Sequence, residues 1–254
     1  MTARGPLFDA HLHVVDPRFP LVANDGYLPP AFTAADYLAA AKPLGVTGGA
    51  VVSGSFQAFD QDYLVAALAA LGPGFVGVTQ LPHSTLDHEI LALDRAGVRA
   101  VRFNVRRGGS ESFDRIESFA NRVHRLCGWH VELYADLATL GTDELAVLAR
   151  LPRLVIDHLG LSDAGLPHVV ELARGGAKVK ATGFGRVQLD PIEAMEKIAA
   201  ANPDALMFGT DLPSTRARRP FEPADIALVE GALGPALARK ALYETARALY
   251  RPRN

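Results

Sequence analysis

The chain is 254 residues long and 49% of them are hydrophobic, which is enough for a large buried core. Lys and Arg number 26 against 28 Asp and Glu, so the formal net charge at pH 7 is -2. Such a chain has no overall positive field with which to hold a nucleic-acid backbone or an anionic membrane. We therefore expect a small-molecule partner, with neither nucleic acid nor membrane, while the oligomeric state stays open.

Cysteine content and the amino-terminal segment bear on the compartment. Cys127 is the only cysteine, so no internal disulfide forms, and its apolar helical surroundings predict a small buried thiol. Residues 1–6 contain no apolar signal core, and no apolar run approaches the roughly 20 residues of a membrane helix. We expect an unexported protein of the cytoplasm.

Short β-rich runs alternate with Ala-rich amphipathic stretches along the chain. The runs predicted as strands are 7–14, 46–53, 75–80, 98–104, 130–134, 154–158, 177–182 and 205–211. The stretches predicted as helices are 33–42, 60–71, 84–96, 112–127, 142–150, 165–174, 190–201 and 222–249. Thr33 with Asp36 is a helix-start signal, and Gly45, Gly97 and Gly128 are expected to be left-handed caps.

Eight strand-helix units in about 250 residues fit a closed parallel barrel, although an open doubly wound sheet would alternate in the same way. Polar residues at the strand ends favour the barrel, because barrel enzymes draw their catalytic groups from many strand ends. These residues are His11, His13, Ser53, Arg102, Asn104, Tyr134, Asp157, His158 and Asp211. No glycine-rich phosphate loop follows the first strand. We predict a single-domain (β/α)₈ TIM barrel over residues 1–254.

His11 and His13 are the first candidates for chemistry. Two strand residues separated by one point to the same face, so both rings can converge on one ion or one substrate oxygen. Asp9 is expected on that face as well. The alternative interpretation is that His11 and His13 are two unrelated histidines, because the motif is short.

Three stretches carry a family resemblance: Asp9-Ala-His-Leu-His13, Val155-Ile-Asp-His-Leu-Gly160 and Phe208-Gly-Thr-Asp-Leu-Pro213. In order and spacing they resemble signature stretches of the amidohydrolase superfamily, and the whole chain is similar to its lactonase branch that acts on 2-pyrone-4,6-dicarboxylate. The resemblance implies a barrel hydrolase in which His11, His13 and His158 line the catalytic centre and Asp211 is the general base. It also implies that no metal is required.

The same residue types leave a metal open. His11, His13, His158 and Asp211 form an acceptable ligand set for one divalent ion such as zinc or manganese. Strand four offers no bridging lysine and strand five ends in Tyr134 instead of a histidine, which argues against two ions. We place Asp157 outside the site, because adjacent strand residues point to opposite faces.

Arginines form the second candidate cluster, because their planar forks match carboxylates. The resemblance assigns Arg102, Arg107 and Arg186 to the carboxylates of the substrate. Two alternatives stay open: Arg102 can pair with a barrel carboxylate such as Glu132, and either Arg106 or Arg107 can point inward.

Four further residues are assigned to substrate binding. Tyr27 resembles a substrate-contacting tyrosine of the same branch, and a role in loop packing is equally consistent with its position. Ser53, Asn104 and Tyr134 can orient a ligand from strand ends, or satisfy backbone groups.

The expected activity is therefore hydrolysis of a carboxylated lactone. Sugar lactones are the rival substrates, and the loop Leu212-Pro213-Ser214 lacks a histidine that the branch often carries there. A metal-dependent decarboxylase or amide hydrolase and a non-catalytic binding barrel are the alternatives from other classes.

Overall fold

The protein is described here by a computed structural model of residues 5–252, in which eight parallel strands form one sheet in the order of the sequence. The strands are β1 (Leu7–Leu12), β2 (Val46–Val52), β3 (Phe75–Thr79), β4 (Val98–Phe103), β5 (His130–Leu133), β6 (Leu154–Ile156), β7 (Lys178–Ala181) and β8 (Leu206–Phe208). The main helices are α1 (Ala34–Ala41), α2 (Asp62–Leu71), α3 (Asp87–Ala96), α4 (Ile116–Cys127), α5 (Thr142–Arg150), α6 (Leu166–Arg174), α7 (Pro191–Ala201), α8 (Ala224–Arg239) and α9 (Thr245–Tyr250).

The sheet closes between its first and last strands. The backbone N–H of Asp211 donates to the carbonyl of His11 at 2.7 Å, and the N–H of His13 donates to the carbonyl of Leu212 at 2.8 Å. These two bonds join the carboxyl end of β1 to the segment that follows β8. The predicted TIM barrel is confirmed, and the open doubly wound sheet is wrong.

Apolar side chains fill the lower part of the barrel interior. They are Phe8, Ala10, Ala50, Val52, Val76, Val78, Ala100, Val155, Met207, Ala246 and Tyr250. Tyr250 of α9 stacks on Phe8 with 5.8 Å between ring centroids, so the last helix covers the amino-terminal end of the barrel. The opposite end is left for polar side chains, and a second apolar layer packs the helices on the outside of the strands.

Several local predictions are confirmed, and one helix differs. Gly45, Gly97 and Gly128 adopt φ angles of 75°, 112° and 70°, and Thr33 forms a capping box with Asp36. The single helix predicted over 222–249 is instead α8, a π-helical turn at Lys240–Glu244, and α9.

α8 is also interrupted before the π-helical turn begins. Gly234 at φ 68° precedes Pro235, which has no N–H to donate, so the helical hydrogen-bond pattern is interrupted within α8.

Cys127 is half-buried at the end of α4, where burial raises the pKa of its thiol to about 12. Among residues 5–252 the structure has no helix with the length and apolar character needed to span a bilayer.

We expect Gly209→Ala to destabilise the fold by about 1 to 3 kcal/mol, because a Cβ at position 209 would lie 2.6 Å from the backbone nitrogen of His11 and force β1 away from β8. Urea unfolding measures the change. Gly231→Ala in α8 is the matched control, since nothing lies within 4 Å of its Cβ position, and it should gain about 1 kcal/mol. Equal effects of the two substitutions would contradict this account of closure.

Candidate active site

A pairing irregularity in β1 places the first histidine. The register with β2 shifts between Asp9 and Leu12, so alternation is broken there and Ala10 and His11 both face the barrel interior. Asp9 turns instead towards α1, where its carboxylate accepts a hydrogen bond from Tyr37 at 2.9 Å and two from Thr210. The expectation that Asp9 shares a face with His11 is therefore wrong. Burial raises the pKa of Asp9 to about 6 despite the bonds from Thr210.

Three histidines converge at the carboxyl end of the barrel. The ring centroid of His11 lies 5.0 Å from that of His13 and 4.8 Å from that of His158. His13 donates its Nδ1 hydrogen to the carbonyl of Val52 at 2.7 Å, which leaves Nε2 to face the other groups of the cluster. Burial lowers the pKa of His158 to about 3 and that of His11 well below its usual range. Both rings are neutral at physiological pH.

Asp211 completes the cluster. It follows β8 with φ 60°, and its Oδ1 lies 3.5 Å from Nε2 of His13 and 3.8 Å from Nε2 of His11. Arg186 holds the other oxygen, Oδ2, through Nε at 2.9 Å and through Nη2. Burial favours the protonated carboxyl, but the Arg186 guanidinium and the His13 ring outweigh it and hold the pKa of Asp211 well below its usual value. The carboxylate is ionised.

Asp157 belongs to the site, contrary to the prediction from strand alternation. Its Oδ2 accepts Nε and Nη2 of Arg102 at 3.0 and 2.8 Å, and its Oδ1 lies 3.4 Å from Nδ1 of His11. β6 ends at Ile156, and His158 has φ 51°, so the chain bends and both Asp157 and His158 point inward. The alternation rule fails because the strand has already ended.

Arg102 is thus held by a barrel carboxylate, as the alternative interpretation supposed, but the partner is Asp157 and not Glu132. Its remaining nitrogen, Nη1, donates to the carbonyl of Ser53 at 2.9 Å. Glu132 is bound instead by Lys180 of β7, a fully buried residue that sequence reasoning missed. The strand Lys178-Val-Lys-Ala181 contains two lysines, and a lysine within a barrel strand was the available signal, because lysine is almost never fully buried without a partner.

A small cavity opens above these groups. Its lining residues are His13, Gly54, Ser55, Phe56, Arg102, Asn104, Arg107, Tyr134, His158, Arg186, Thr215 and Arg216. Seven of the residues predicted from the sequence are in that list, and His11 and Asp211 lie directly against members of it. The structure therefore brings the histidines, the carboxylate and the arginines together.

The loop after β4 distinguishes the two neighbouring arginines. Arg107 lines the cavity, whereas Arg106 is exposed to solvent. Asn104 shapes this loop by accepting the backbone N–H of Arg107 on Oδ1 at 3.0 Å. Within residues 5–252 the Arg107 guanidinium has neither a hydrogen-bond partner nor an ion-pair partner, so its donors are available to a ligand.

Two predicted residues lie elsewhere. Ser53 is buried with its hydroxyl 2.6 Å from that of Tyr63 on α2, because the side chain points to the helix side of the barrel. Tyr27 packs against Arg216, whose guanidinium carbon lies 4.5 Å from the centroid of the Tyr27 ring. Arg216 itself lines the cavity and was missed, although the run of arginines after Asp211 signalled a cationic loop.

Two groups of side chains could hold a divalent ion: His11 with His13 and Asp211, and His11 with Asp157 and His158. In the first group, Nε2 of His11 and Oδ1 of Asp211 are buried without a hydrogen-bond partner among the described residues. Two ring nitrogens and one carboxylate oxygen fit a single zinc-like ion by type and spacing. Donor type and spacing therefore allow one metal ion in this group, provided that Nε2 of His11 carries a lone pair.

A family model described as amidohydrolase matches residues 8–251. The chain belongs to the amidohydrolase family. It is 32% identical over 159 residues to a 2-pyrone-4,6-dicarboxylate hydrolase of Comamonas testosteroni, a match that covers 61% of this chain. The matched region spans 52% of that relative, about half of its length.

Solved structures agree on the fold of this amidohydrolase. An Agrobacterium tumefaciens protein superposes with a TM-score of 0.84 at 23% identity, covering 96% of this chain and 95% of the other. A candidate 2-pyrone-4,6-dicarboxylic acid hydrolase of Pseudomonas putida gives 0.76 at 26% identity, with 96% and 97% covered. A counterpart of Acinetobacter baumannii, solved with citric acid bound, gives 0.81 at 21% identity, with 96% and 99% covered.

We expect the neutral buried ring of His158 to make the fold sensitive to acid. The unfolded chain binds a proton near pH 6.5 and the folded one only near pH 3, so stability falls as the pH drops through that window, by about 1.4 kcal/mol per unit for this ring. Denaturant unfolding from about pH 5.5 to about pH 4 measures the slope, which His158→Gln should reduce by that amount. The exposed His168→Gln should leave the slope unchanged. An unchanged slope in His158→Gln would show that the ring is protonated in the folded state.

Proposed function

We propose that this amidohydrolase is a lactonase that opens the cyclic ester of a carboxylated small molecule similar to 2-pyrone-4,6-dicarboxylate. One observation carries the proposal: an ionised carboxylate, Asp211, lies against the rings of His11 and His13 at the base of a cavity whose walls contain four arginines. The name of the Comamonas testosteroni relative supports this choice of substrate class.

The arginines differ in how firmly they are held, and this divides their roles. Arg102 is committed to Asp157 and Ser53, so it contributes a fixed positive wall. Arg107 has its donors free, and Arg216 is fixed by Asn24 and by the ring of Tyr27. We assign the substrate carboxylates to Arg107 and Arg216 at the mouth and to Arg186 deeper in the cavity.

Arginines that face the cavity disfavour a sugar lactone as the substrate. A neutral sugar would leave the positive charge of Arg107 uncompensated in a partly desolvated pocket, and would leave Arg216 paired only with the exposed Asp25 at 3.9 Å. A substrate with two carboxylates would neutralise them and would be oriented by both ends.

Asp211 is assigned as the general base. Its depressed pKa makes it a weak base while Arg186 holds Oδ2. When a substrate carboxylate engages Arg186, the guanidinium is shared and the proton affinity of Asp211 rises. Substrate binding would therefore activate the base as the ester arrives.

The hydrolytic step balances with these residues alone. Asp211 takes a proton from water through Oδ1 as the water oxygen bonds to the ester carbonyl carbon, and the carbonyl oxygen becomes an oxyanion. His11 is neutral and can stabilise that oxygen as an N–H donor without carrying a charge. The neutral ring of His158 lies beside it, but its Nδ1 is 3.4 Å from the carbonyl of Thr182, so its single hydrogen is directed there. On collapse, the bond to the ring oxygen breaks and the proton on Asp211 passes to the leaving oxygen.

A metal-dependent decarboxylase or amide hydrolase is the second candidate, and the fit of His11, His13 and Asp211 to one ion favours it. An ion held there would polarise the carbonyl and lower the pKa of a bound water. The cationic cavity supports the lactonase more strongly, because its arginines can bind a carboxylated substrate without a metal ion.

We expect Asp211→Asn to lower kcat for the preferred lactone by about 100-fold or more, because the amide cannot accept the proton of water. A panel of lactones, including 2-pyrone-4,6-dicarboxylate and neutral sugar lactones, would be assayed by the loss of the ring ester. Asp163→Asn, which changes an exposed carboxylate, is the matched control and should retain wild-type rates. Equal rates for wild type and Asp211→Asn would remove Asp211 as the base.

We expect Arg107→Met to raise KM for a dicarboxylate lactone about tenfold or more and to affect a monocarboxylate lactone less, since one charge-assisted pair is lost. Arg106→Met tests the neighbouring, solvent-exposed arginine and should leave both KM values unchanged. If the two variants behave alike, the carboxylate is bound elsewhere.

A further inference from the structure

Lys180 is a fully buried lysine that the hydrolytic step does not use. It lies on β7, and its ammonium contacts three groups inside the barrel. Nζ donates to Oε2 of Glu132, lies 3.2 Å from Nδ1 of His11 and lies 3.5 Å from Oδ1 of Asp157. It thus reaches the back of the histidine whose other nitrogen faces Asp211.

An ammonium group has three hydrogens to donate and no lone pair to accept with. Nδ1 of His11 must therefore be the acceptor of the bond from Lys180. A ring nitrogen that accepts a hydrogen bond carries a lone pair, so the His11 ring is neutral in this arrangement. A neutral imidazole carries one hydrogen, so that hydrogen is on Nε2, the nitrogen that faces the reaction centre.

The competing tautomer has its own acceptor. With the hydrogen on Nδ1, His11 could donate to Oδ1 of Asp157, which lies 3.4 Å away. That arrangement would aim an N–H at the Lys180 ammonium 3.2 Å away and would leave a lone pair on Nε2. A lone pair there is what a metal ion needs, whereas a hydrogen there is what a carbonyl oxygen needs.

We propose that Lys180 is a positioning residue that holds His11 as its Nε2–H tautomer, so that His11 is a hydrogen-bond donor to the substrate carbonyl and not a ligand for a metal ion. The role in hydrolysis rests on the proposed lactonase activity. The tautomer itself does not, and it can be measured without substrate.

Glu132 holds Lys180 in place. Its second oxygen, Oε1, accepts the hydroxyl of Tyr250 and lies 3.2 Å from Nε2 of His130. Lys180 and Glu132 are a matched pair of opposite charges, both with no exposed surface. A variant that removes both charges together leaves the net charge of the interior unchanged. Such a variant therefore tests the effect of Lys180 on His11 without leaving the charge of Glu132 unpaired.

The first experiment measures the tautomer in the unaltered protein. Long-range proton–nitrogen correlation spectra of ¹⁵N-histidine-labelled protein, without substrate and with metals removed by chelation, are expected to show the Nε2–H pattern for His11. The signals are assigned by their disappearance in His11→Gln. An Nδ1–H pattern for His11 would overturn the proposal, whatever substrate the protein acts on.

The second experiment removes the ammonium. In the double variant Lys180→Met/Glu132→Gln we expect the hydrogen of His11 to move to Nδ1, and zinc affinity measured by calorimetry to rise about tenfold or more. We expect kcat to fall about 10- to 100-fold while KM stays within about threefold. Lys178→Met, on the same strand but bound to the carbonyl of Asp204, is the matched control and should leave zinc affinity and kcat unchanged.

Two outcomes of that experiment would overturn the proposal. If the double variant keeps the wild-type tautomer and kcat, Lys180 serves only to neutralise Glu132. If the wild-type protein binds zinc as tightly as the double variant does, the ammonium does not determine the ligand character of His11. Should the double variant not fold, the tautomer in the wild-type protein still decides the question. Should no lactone be hydrolysed, the tautomer and zinc measurements still stand, so failure of the proposed function is distinguishable.

Discussion

Charges that are withdrawn from water must be paired, and the upper half of this barrel is built on that constraint. Arg102 is paired with Asp157, Lys180 with Glu132 and Arg186 with Asp211. The three pairs come from different strands or strand ends, so each fixes one part of the rim against another. Asp157 connects two of them, since its free oxygen lies near both Lys180 and His11. An error in any one pairing would leave a buried charge uncompensated.

The same pairing determines what the histidines can do. The rings are desolvated, and Lys180 lies near His11 and Arg186 near His158, so protonation of His11 and His158 is disfavoured. Neutral rings act through the direction of one hydrogen and one lone pair, and this direction is set by whatever binds the far nitrogen. For His13 that group is a backbone carbonyl, and for His11 it is the ammonium of Lys180. The chemistry of the rim thus depends on groups one layer deeper.

Stability and substrate selection are separated in space. The deeper charges are matched within the protein, whereas the Arg107 guanidinium at the mouth has no partner among the described residues. A partly exposed guanidinium without a partner favours the binding of an anion. Arg216 lines the wall of the same cavity. Arg186 stands between the two layers, because it both lines the cavity and holds the base. Its position links the arrival of a carboxylate to the proton affinity of Asp211.

The sequence by itself determined the alternation of eight strands with helices, because strand and helix periodicity and glycine caps are local properties that neighbouring residues decide. The polar residues at the strand ends then favoured a closed barrel over an open sheet. The sequence also determined the membership of the cluster formed by His11, His13, His158 and Asp211, since residues at strand ends of a parallel barrel must meet at one rim. Side-chain direction at the ends of β1 and β6 was not determined in this way. Alternation holds only while a strand is regular, and the irregular register near Asp9 and the bend at His158 reversed two expectations.

Partners distant in the chain were likewise decided only by the tertiary structure. Lys180 lies 169 residues from His11, and no local pattern states which carboxylate or ring a buried ammonium will meet. The same holds for the choice of Arg107 over Arg106, which depends on how Asn104 turns its loop. Residue types near a strand end are thus readable from sequence, whereas tautomers, ion pairs and free donors depend on distances that exist only once the barrel has closed.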